Sequence, residues 1–157
     1  MSAKAEIDLR IPALLPEDYV SDVNMRLSLY KRIANCETDT MLDELKVEFI
    51  DRFGMLPVPT RNLMAITLYK HQATALGIHK IEMHAKGGSV EFGQENHVDP
   101  MFIIGLLQNQ PQIYRMDGPN KLKFNIPAET SKERLELINT LLGQFAKHQI
   151  LETNSAS

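Results

Sequence analysis

The chain of 157 residues carries 17 basic and 20 acidic residues, and its net charge is −3. Its hydrophobic content of 43% and charged content of 24% are ordinary for a folded globular chain and argue against both a disordered chain and a membrane protein. No apolar run approaches the ~20 residues that span a bilayer, and the first residues lack the apolar core of a signal peptide. We therefore expect a cytoplasmic monomer with no membrane partner.

The acidic balance also argues against a generic nucleic-acid-binding surface, which usually shows a basic excess. The most basic short segments, residues 30–32 and 121–123, fit better as solvated faces beside buried neighbours. The charge pattern thus gives no support to a DNA-binding protein.

Residues 6–16 are predicted to be extended, because two prolines and the alternation of Ile7, Leu9 and Ile11 favour a strand or a strand-like lead-in. From Pro16 the apolar spacing changes to steps of three and four residues, which predicts a first helix. Its predicted apolar stripe consists of Val20, Val23, Leu27, Tyr30 and Ala34.

Two further helices follow in the predicted order. Thr38 or Thr40 can cap the second helix, and Gly54 ends it. Its apolar stripe consists of Leu42, Leu45, Phe49 and Phe53. Pro59 suits the first turn of the third helix, which ends at Gly77. The apolar positions of this third helix are Leu63, Ile66, Tyr69, Ala73 and Leu76.

After the third helix the apolar period changes to two, which predicts strands. The alternating positions are Ile81, Met83 and Ala85, followed by Val90 and Phe92. Gly87 and Gly88 lie between the two runs and predict a tight hairpin turn, since glycine tolerates the positive φ of such turns. Residues 112–116 and 121–126 flank the turn residues 117–120 and predict a second hairpin.

A helix follows each predicted hairpin. Asp99 and Pro100 form an N-cap and a first-turn proline, and they predict a helix over residues 101–110 that is apolar enough to be mostly buried. The last helix begins after Thr130, which stands three residues before Glu133 in the spacing of a capping box. Its apolar positions are Leu135, Ile138, Leu142 and Phe145.

This order of elements predicts an α+β fold. We expect a helix-rich N-terminal part, followed by an antiparallel sheet built from two hairpins with helices packed on it. Along the chain we expect linker or added residues at 1–4, a single domain over residues 5–149 and a disordered tail at 150–157.

No constellation typical of catalysis or metal binding is found in the sequence. The glycine pair lacks the spacing of a phosphate-binding loop, and the five histidines lack the helical pairing of a zinc protease. Cys36 follows the first helix, where the helix dipole disfavours a thiolate, so it is predicted to be a semi-buried structural thiol. We therefore expect no enzyme activity, no cofactor and no metal.

One face of the second helix is acidic. At ~100° per residue, Glu44, Glu48 and Asp51 fall within about 60° of one another and nearly opposite the apolar stripe. Glu48 and Arg52 have the spacing of an i, i+4 ion pair. Two interpretations of this acidic face remain open: a solvated surface, which the residues alone favour, or the docking site of a basic partner.

Four segments, in this order, carry a resemblance to a known family. They are LLPEDYVSDVNMRLSLYKRI at 14–33, ELKVEFIDRFGMLP at 44–57, KGGSVEF at 86–92 and DGPNKLKF at 117–124. Over about residues 5–148 the chain resembles the C-terminal domain of the bacterial transcription-repair coupling factors (Mfd). Proteins of this family are ATP-dependent DNA translocases that displace stalled RNA polymerase and recruit UvrA, whereas this chain contains no phosphate-binding loop or helicase motif.

The resemblance implies a non-enzymatic regulatory domain, which packs on the UvrB-homology domain of the same full-length protein and masks its UvrA-binding surface. UvrA, RNA polymerase and DNA would be reached only through the full-length protein. Glu48 and Asp51 match the family's contact positions, and Glu44 is added from the helical wheel. The alternatives are an interaction module for another repair or transcription protein, or a weak DNA-contacting accessory domain.

Overall fold

The computed structural model describes residues 4–150 and contains five helices and five strands. The helices are α1 (Val23–Ala34), α2 (Asp39–Phe53), α3 (Val58–Ala75), α4 (Pro100–Asn109) and α5 (Ser131–Lys147). The strands are β1 (Glu6–Asp8), β2 (Ile78–His84), β3 (Gly87–Phe92), β4 (Tyr114–Asp117) and β5 (Lys121–Phe124). The predicted α+β fold is confirmed.

The five strands form one sheet in the order β1-β2-β3-β5-β4. The pairs β2–β3, β3–β5 and β4–β5 are antiparallel, as the two hairpins predict. The edge strand β1 pairs parallel with β2 and places Ile7 opposite Ile81, so the sheet is mixed rather than antiparallel throughout. This parallel pair is possible because three helices separate β1 from β2, and such a long connection allows the chain to return in the same direction.

The first hairpin turns at Ala85 and Lys86, directly before the glycine pair. The prediction that Gly87 and Gly88 form this turn with positive φ is wrong, because both lie in β3 and neither has a positive φ. They are required for space instead: a Cβ atom on Gly87 would lie 2.3 Å from the carbonyl oxygen of Phe124. The second hairpin turn follows its prediction, with φ of 76° at Gly118.

Two clusters of buried side chains form the core. The first covers the inner face of the sheet, and its fully buried members include Ile81, Val90, Leu122, Ile138 and Phe145. The second joins α1, α2 and α3, and its members include Leu29, Ile33, Leu42, Phe49 and Met64. Helix α3 contributes to both clusters and therefore connects the helical part with the sheet.

The predicted apolar stripe of the first helix is partly wrong. Val23 and Leu27 are 57% and 55% exposed, whereas Leu29 and Ile33 are buried. The helix begins at Val23 rather than near Pro16, because the side chain of Asp22 accepts hydrogen bonds from the N–H groups of the first turn. A local cap therefore sets the start of α1.

The predictions for α2 are confirmed at both ends. Thr38 caps the helix by accepting a hydrogen bond from the N–H of Met41, and Gly54 follows its last residue with φ of 92°. Leu42, Leu45 and Phe49 are its buried side chains.

Helix α4 begins after Asp99 as predicted, but the expectation that it is mostly buried is wrong. None of its residues is fully buried, and Met101 is 68% exposed. The helix packs with one side only, where the ring of Phe102 stacks on His148 at 4.1 Å. The opposite side of α4 faces solvent.

Arg134 on α5 connects the segment that follows β1 to the last helix. Its guanidinium donates hydrogen bonds to four backbone carbonyls, those of Leu9, Arg10, Ala128 and Glu129. At the other end of the described chain, the N–H of Ile150 donates to the carbonyl of His97. Residues 1–3 and 151–157, which hold most of the predicted linker and tail, lie outside the described residues.

Candidate partner-binding surface on the second helix

The acidic face of α2 (Glu44, Glu48 and Asp51) lies opposite the side that anchors the helix. Leu42, Leu45 and Phe49 are buried against α1 and α3. Glu44 and Asp51 are exposed, and Glu48 retains 36% of its side-chain exposure. The structure therefore brings the three predicted site residues onto one solvent-facing side of the helix, in agreement with the helical wheel.

Glu48 is engaged within the domain by two arginines. Both of its carboxylate oxygens accept hydrogen bonds from the Arg32 guanidinium of α1, with an Nη2–Oε1 distance of 2.8 Å. Arg52 Nη1 lies 2.9 Å from Glu48 Oε2, which confirms the i, i+4 pair that the spacing predicts. The hydrogen bonds from Arg32 and then Arg52 lower the pKa of Glu48 to about 2, so this carboxyl group is ionised near neutral pH.

Sequence reasoning missed Arg32, because it lies 16 residues before Glu48 and on a different helix. The guanidinium of Arg32 helps to neutralise the charge of Glu48 and so leaves the acidic face with fewer free carboxylates. Glu44 and Asp51 have no ion pair among residues 4–150, whereas the charge of Glu48 is already balanced by two guanidinium groups. The carboxylates best able to accept a new cation are therefore Glu44 and Asp51.

A shallow open pocket of about 340 Å³ lies beside the acidic face, between α1 and α2. Glu44, Glu48, Arg32 and Cys36 are among its lining residues. Cys36 itself is buried, and its thiol donates a weak hydrogen bond to the carbonyl of Arg32 at 3.4 Å. Burial raises the pKa of this thiol, which favours the protonated form expected of a structural cysteine.

Exposed apolar side chains border the carboxylates. Val47 is 60% exposed and Ile50 is 43% exposed, and Val47 stands one helical turn before Asp51. The sequence does carry a signal for these residues, since both interrupt the polar face of an amphipathic helix. The outer side of α2 thus combines negative charge with exposed apolar area.

Within residues 4–150, no group of three His, Cys, Asp or Glu side chains is placed to hold a metal ion. None of the helices in this range is long and apolar enough to cross a membrane.

A family model described as the TRCF domain matches residues 9–103, which include Glu44, Glu48 and Asp51. The chain belongs to the TRCF domain family. A transcription-repair-coupling factor of Escherichia coli K12 is 49% identical over 149 residues, which cover 95% of this chain and 13% of that protein. The corresponding protein of Haemophilus influenzae is 49% identical over 143 residues, covering 91% of this chain and 12% of its own length.

A solved structure supports the fold of this TRCF domain. The crystal structure of a C-terminal domain of transcription-repair coupling factor aligns with a TM-score of 0.73 and 24% sequence identity, covering 92% of this chain and 94% of that one. The resemblance recognised in the sequence is therefore confirmed. Since this TRCF domain spans only 12–13% of the two curated relatives described above, it corresponds to one part of such proteins.

Proposed function

We propose that this TRCF domain is a non-enzymatic regulatory domain that packs on the UvrB-homology domain of its own full-length protein. In that position it masks the UvrA-binding surface, and it releases the surface when the full-length ATP-dependent translocase acts on stalled RNA polymerase in transcription-coupled repair. The observation that supports this proposal is the exposed side of α2, where free carboxylates lie beside apolar side chains.

The charges on this surface favour a basic partner. Glu44 and Asp51 are exposed and lack an ion pair among residues 4–150, so a Lys or Arg of the partner can bind them without displacing an existing cation. Val47 is exposed and stands one helical turn before Asp51, so it would be covered in the contact. We assign Glu48 a supporting role, because it orients two arginines at the edge of the surface.

A contact of this kind suits a switch. Exposed ion pairs each contribute ~0–1 kcal/mol, so the contact opens when a competing interaction favours the released state. Two domains of one chain meet at an effective concentration of about 1 mM, which allows a weak contact to keep the domain in place. The masking state therefore needs only a modest affinity.

The proposal is tested by charge reversal in the full-length protein. Glu44→Arg/Asp51→Arg should let the protein capture UvrA without DNA or nucleotide, because both free carboxylates are reversed. The matched control is Glu95→Arg/Glu136→Arg, which makes the same change in net charge at exposed positions outside α2. If the α2 double variant captures no more UvrA than the control, the acidic face is not the masking contact.

Glu48→Arg is a natural first choice for such a test, and it should also expose the UvrA-binding surface. It would, however, place a third guanidinium beside Arg32 and Arg52 and so disturb the packing of α1 on α2. Glu48→Gln is the better companion, because it removes the charge and keeps the size of the side chain. We expect Glu48→Gln to increase the capture of UvrA, but by less than the reversal of Glu44 and Asp51 does.

A titration with separately produced UvrB-homology domain tests direct binding. We expect salt-sensitive binding of the 157-residue chain, in the high micromolar range because the tether is missing. The Glu44→Arg/Asp51→Arg variant should lose this binding and the control variant should keep it. Binding that is equal in both variants would place the contact on another surface of the domain.

A further inference from the structure

The outer face of the sheet carries a second polar surface, which is independent of the acidic face and of the function proposed for it. Six basic side chains line one open depression of about 430 Å³. We call this depression the basic groove, and its six residues are Arg10, His84, Lys86, Arg115, Lys121 and Lys123.

The pairing of the strands assembles the basic groove. Lys123 on β5 stands opposite Ser89 on β3 and Arg115 on β4. Because neighbouring strands are about 4.8 Å apart, this row extends about 10 Å across the sheet. The alternate residues Leu122 and Phe124 are 0% and 1% exposed and point into the core, which directs the lysines of β5 outward.

The basic groove holds more cations than carboxylates, although Glu91 and Asp117 stand opposite Lys121 on the neighbouring strands. Glu82 borders the groove but binds Lys80 at 3.1 Å, and Asp117 binds Lys123 at 3.2 Å. The four remaining cations have no carboxylate within 4.0 Å among residues 4–150; they are Arg10, Lys86, Arg115 and Lys121. A chain with a net charge of −3 thus carries a net positive charge along this groove.

The backbone at Arg10 is held in a strained conformation beside the groove. Arg10 is the one non-glycine residue between residues 4 and 150 with a positive φ, 54°. Its N–H donates to Asp8 Oδ1 at 3.0 Å, and its carbonyl accepts a hydrogen bond from Arg134. Conformations of this kind are unfavourable for a non-glycine residue and persist where the surrounding structure holds them, often at functional sites. Here the strained residue places a guanidinium at the groove.

The chemistry of the groove favours phosphate groups over an acidic protein segment. Protein interfaces usually have an apolar or aromatic centre. No exposed large apolar side chain lines the groove, whose remaining walls include Gly87, Gly88 and Ser89. The polar and cationic lining of the groove suits a phosphate anion better than an apolar side chain.

The same surroundings favour a double helix over a single strand. Proteins hold single strands largely by stacking bases on exposed aromatic rings. The aromatic residue of the groove, Phe124, is 1% exposed and offers no such ring face. We propose that the basic groove binds the phosphate backbone of duplex DNA without sequence preference, through Arg10, Lys86, Arg115 and Lys121.

The test measures the binding of the 157-residue chain to a fluorescent duplex of about 20 base pairs at salt concentrations from about 25 to about 150 mM. If each of these four cations meets a phosphate, the slope of log K against log salt lies between about −3 and −4. The variant Lys86→Gln/Arg115→Gln removes two contacts, so its slope should be smaller by about 2, with at least about a tenfold weaker affinity at low salt. Lys86 and Arg115 are exposed, so both substitutions are compatible with the fold.

The matched control is Lys31→Gln/Lys147→Gln, which changes the net charge equally at exposed positions on α1 and α5. Its affinity should stay within about twofold of the original chain. An equal loss in the control, or no saturable binding at low salt, would overturn the proposal. Tighter binding of single-stranded DNA or of polyglutamate than of the duplex would also overturn it, and would assign the groove to that other ligand.

Discussion

The position of Gly88 in β3 allows a sharp test of the fold around the first hairpin. A Cβ atom on Gly88 would lie 2.2 Å from the carbonyl oxygen of Glu82, 2.7 Å from Cζ of Phe124 and 3.1 Å from Cα of Met83. The first and third are backbone atoms of the paired strand β2, and the second belongs to a buried ring. None of them moves without disturbing the sheet, so Gly88→Ala should lower the free energy of unfolding by about 2–3 kcal/mol, in the upper part of the range for overpacking.

The assay is urea unfolding followed by circular dichroism, with Gly143→Ala as the matched control. Gly143 lies inside α5, and a Cβ atom there meets no heavy atom within 4 Å. The same substitution should therefore raise stability by about 0.5–1 kcal/mol, because alanine is the better helix former. A loss smaller than about 0.5 kcal/mol in Gly88→Ala would refute the close packing of β3 on β2 and Phe124, because surface substitutions have effects of that size.

Three further predictions concern single side chains. Arg32→Gln should raise the pKa of Glu48 from about 2 towards 4.5, measured by carboxyl NMR titration. Because folding lowers this pKa, Glu48 stabilises the fold above pH 4.5 and loses that effect as the pH falls towards 2; an unchanged pKa in the variant would contradict the assigned cause. Asn62→Ala removes the hydrogen bond from Nδ2 to the carbonyl of Pro12 and should cost about 1–3 kcal/mol in urea unfolding, whereas a neutral effect would show that this carbonyl finds another partner. Thr130→Ala removes the N-cap of α5 and should lower the free energy of unfolding by about 1 kcal/mol, whereas Thr130→Ser should lower it much less. Equal losses in the two variants would argue against the cap.

Features that depend on neighbouring residues were predictable from the sequence. Thr38, the apolar stripe and Gly54 specify α2 within one short segment, and the structure confirms all three. The same local information placed the acidic face on the solvent side of this helix. It was insufficient for α1, where two exposed apolar residues, Val23 and Leu27, fitted the helical period as well as the buried ones.

Features that join distant segments could not be read from the sequence. The spacing of Glu48 and Arg52 predicts their ion pair, but nothing local indicates that Arg32 completes it from another helix. The basic groove was even harder to predict from the sequence. Its cations come from four separate segments, and the net charge of the chain is negative. The parallel pairing of β1 likewise depends on how three intervening helices pack.

The hydrogen bonds of Arg134 have a consequence for the order in which the domain is synthesised. This side chain binds the carbonyl of Arg10, which precedes it by 124 residues. At ~5–20 residues per second, a ribosome needs about 6–25 s to add that length of chain. During this interval the carbonyls of Leu9 and Arg10 lack the guanidinium that binds them in the finished fold. A ribosome that stalls before Arg134 therefore carries a nascent chain in which the segment directly after β1 still lacks the side chain that binds its carbonyls in the finished fold.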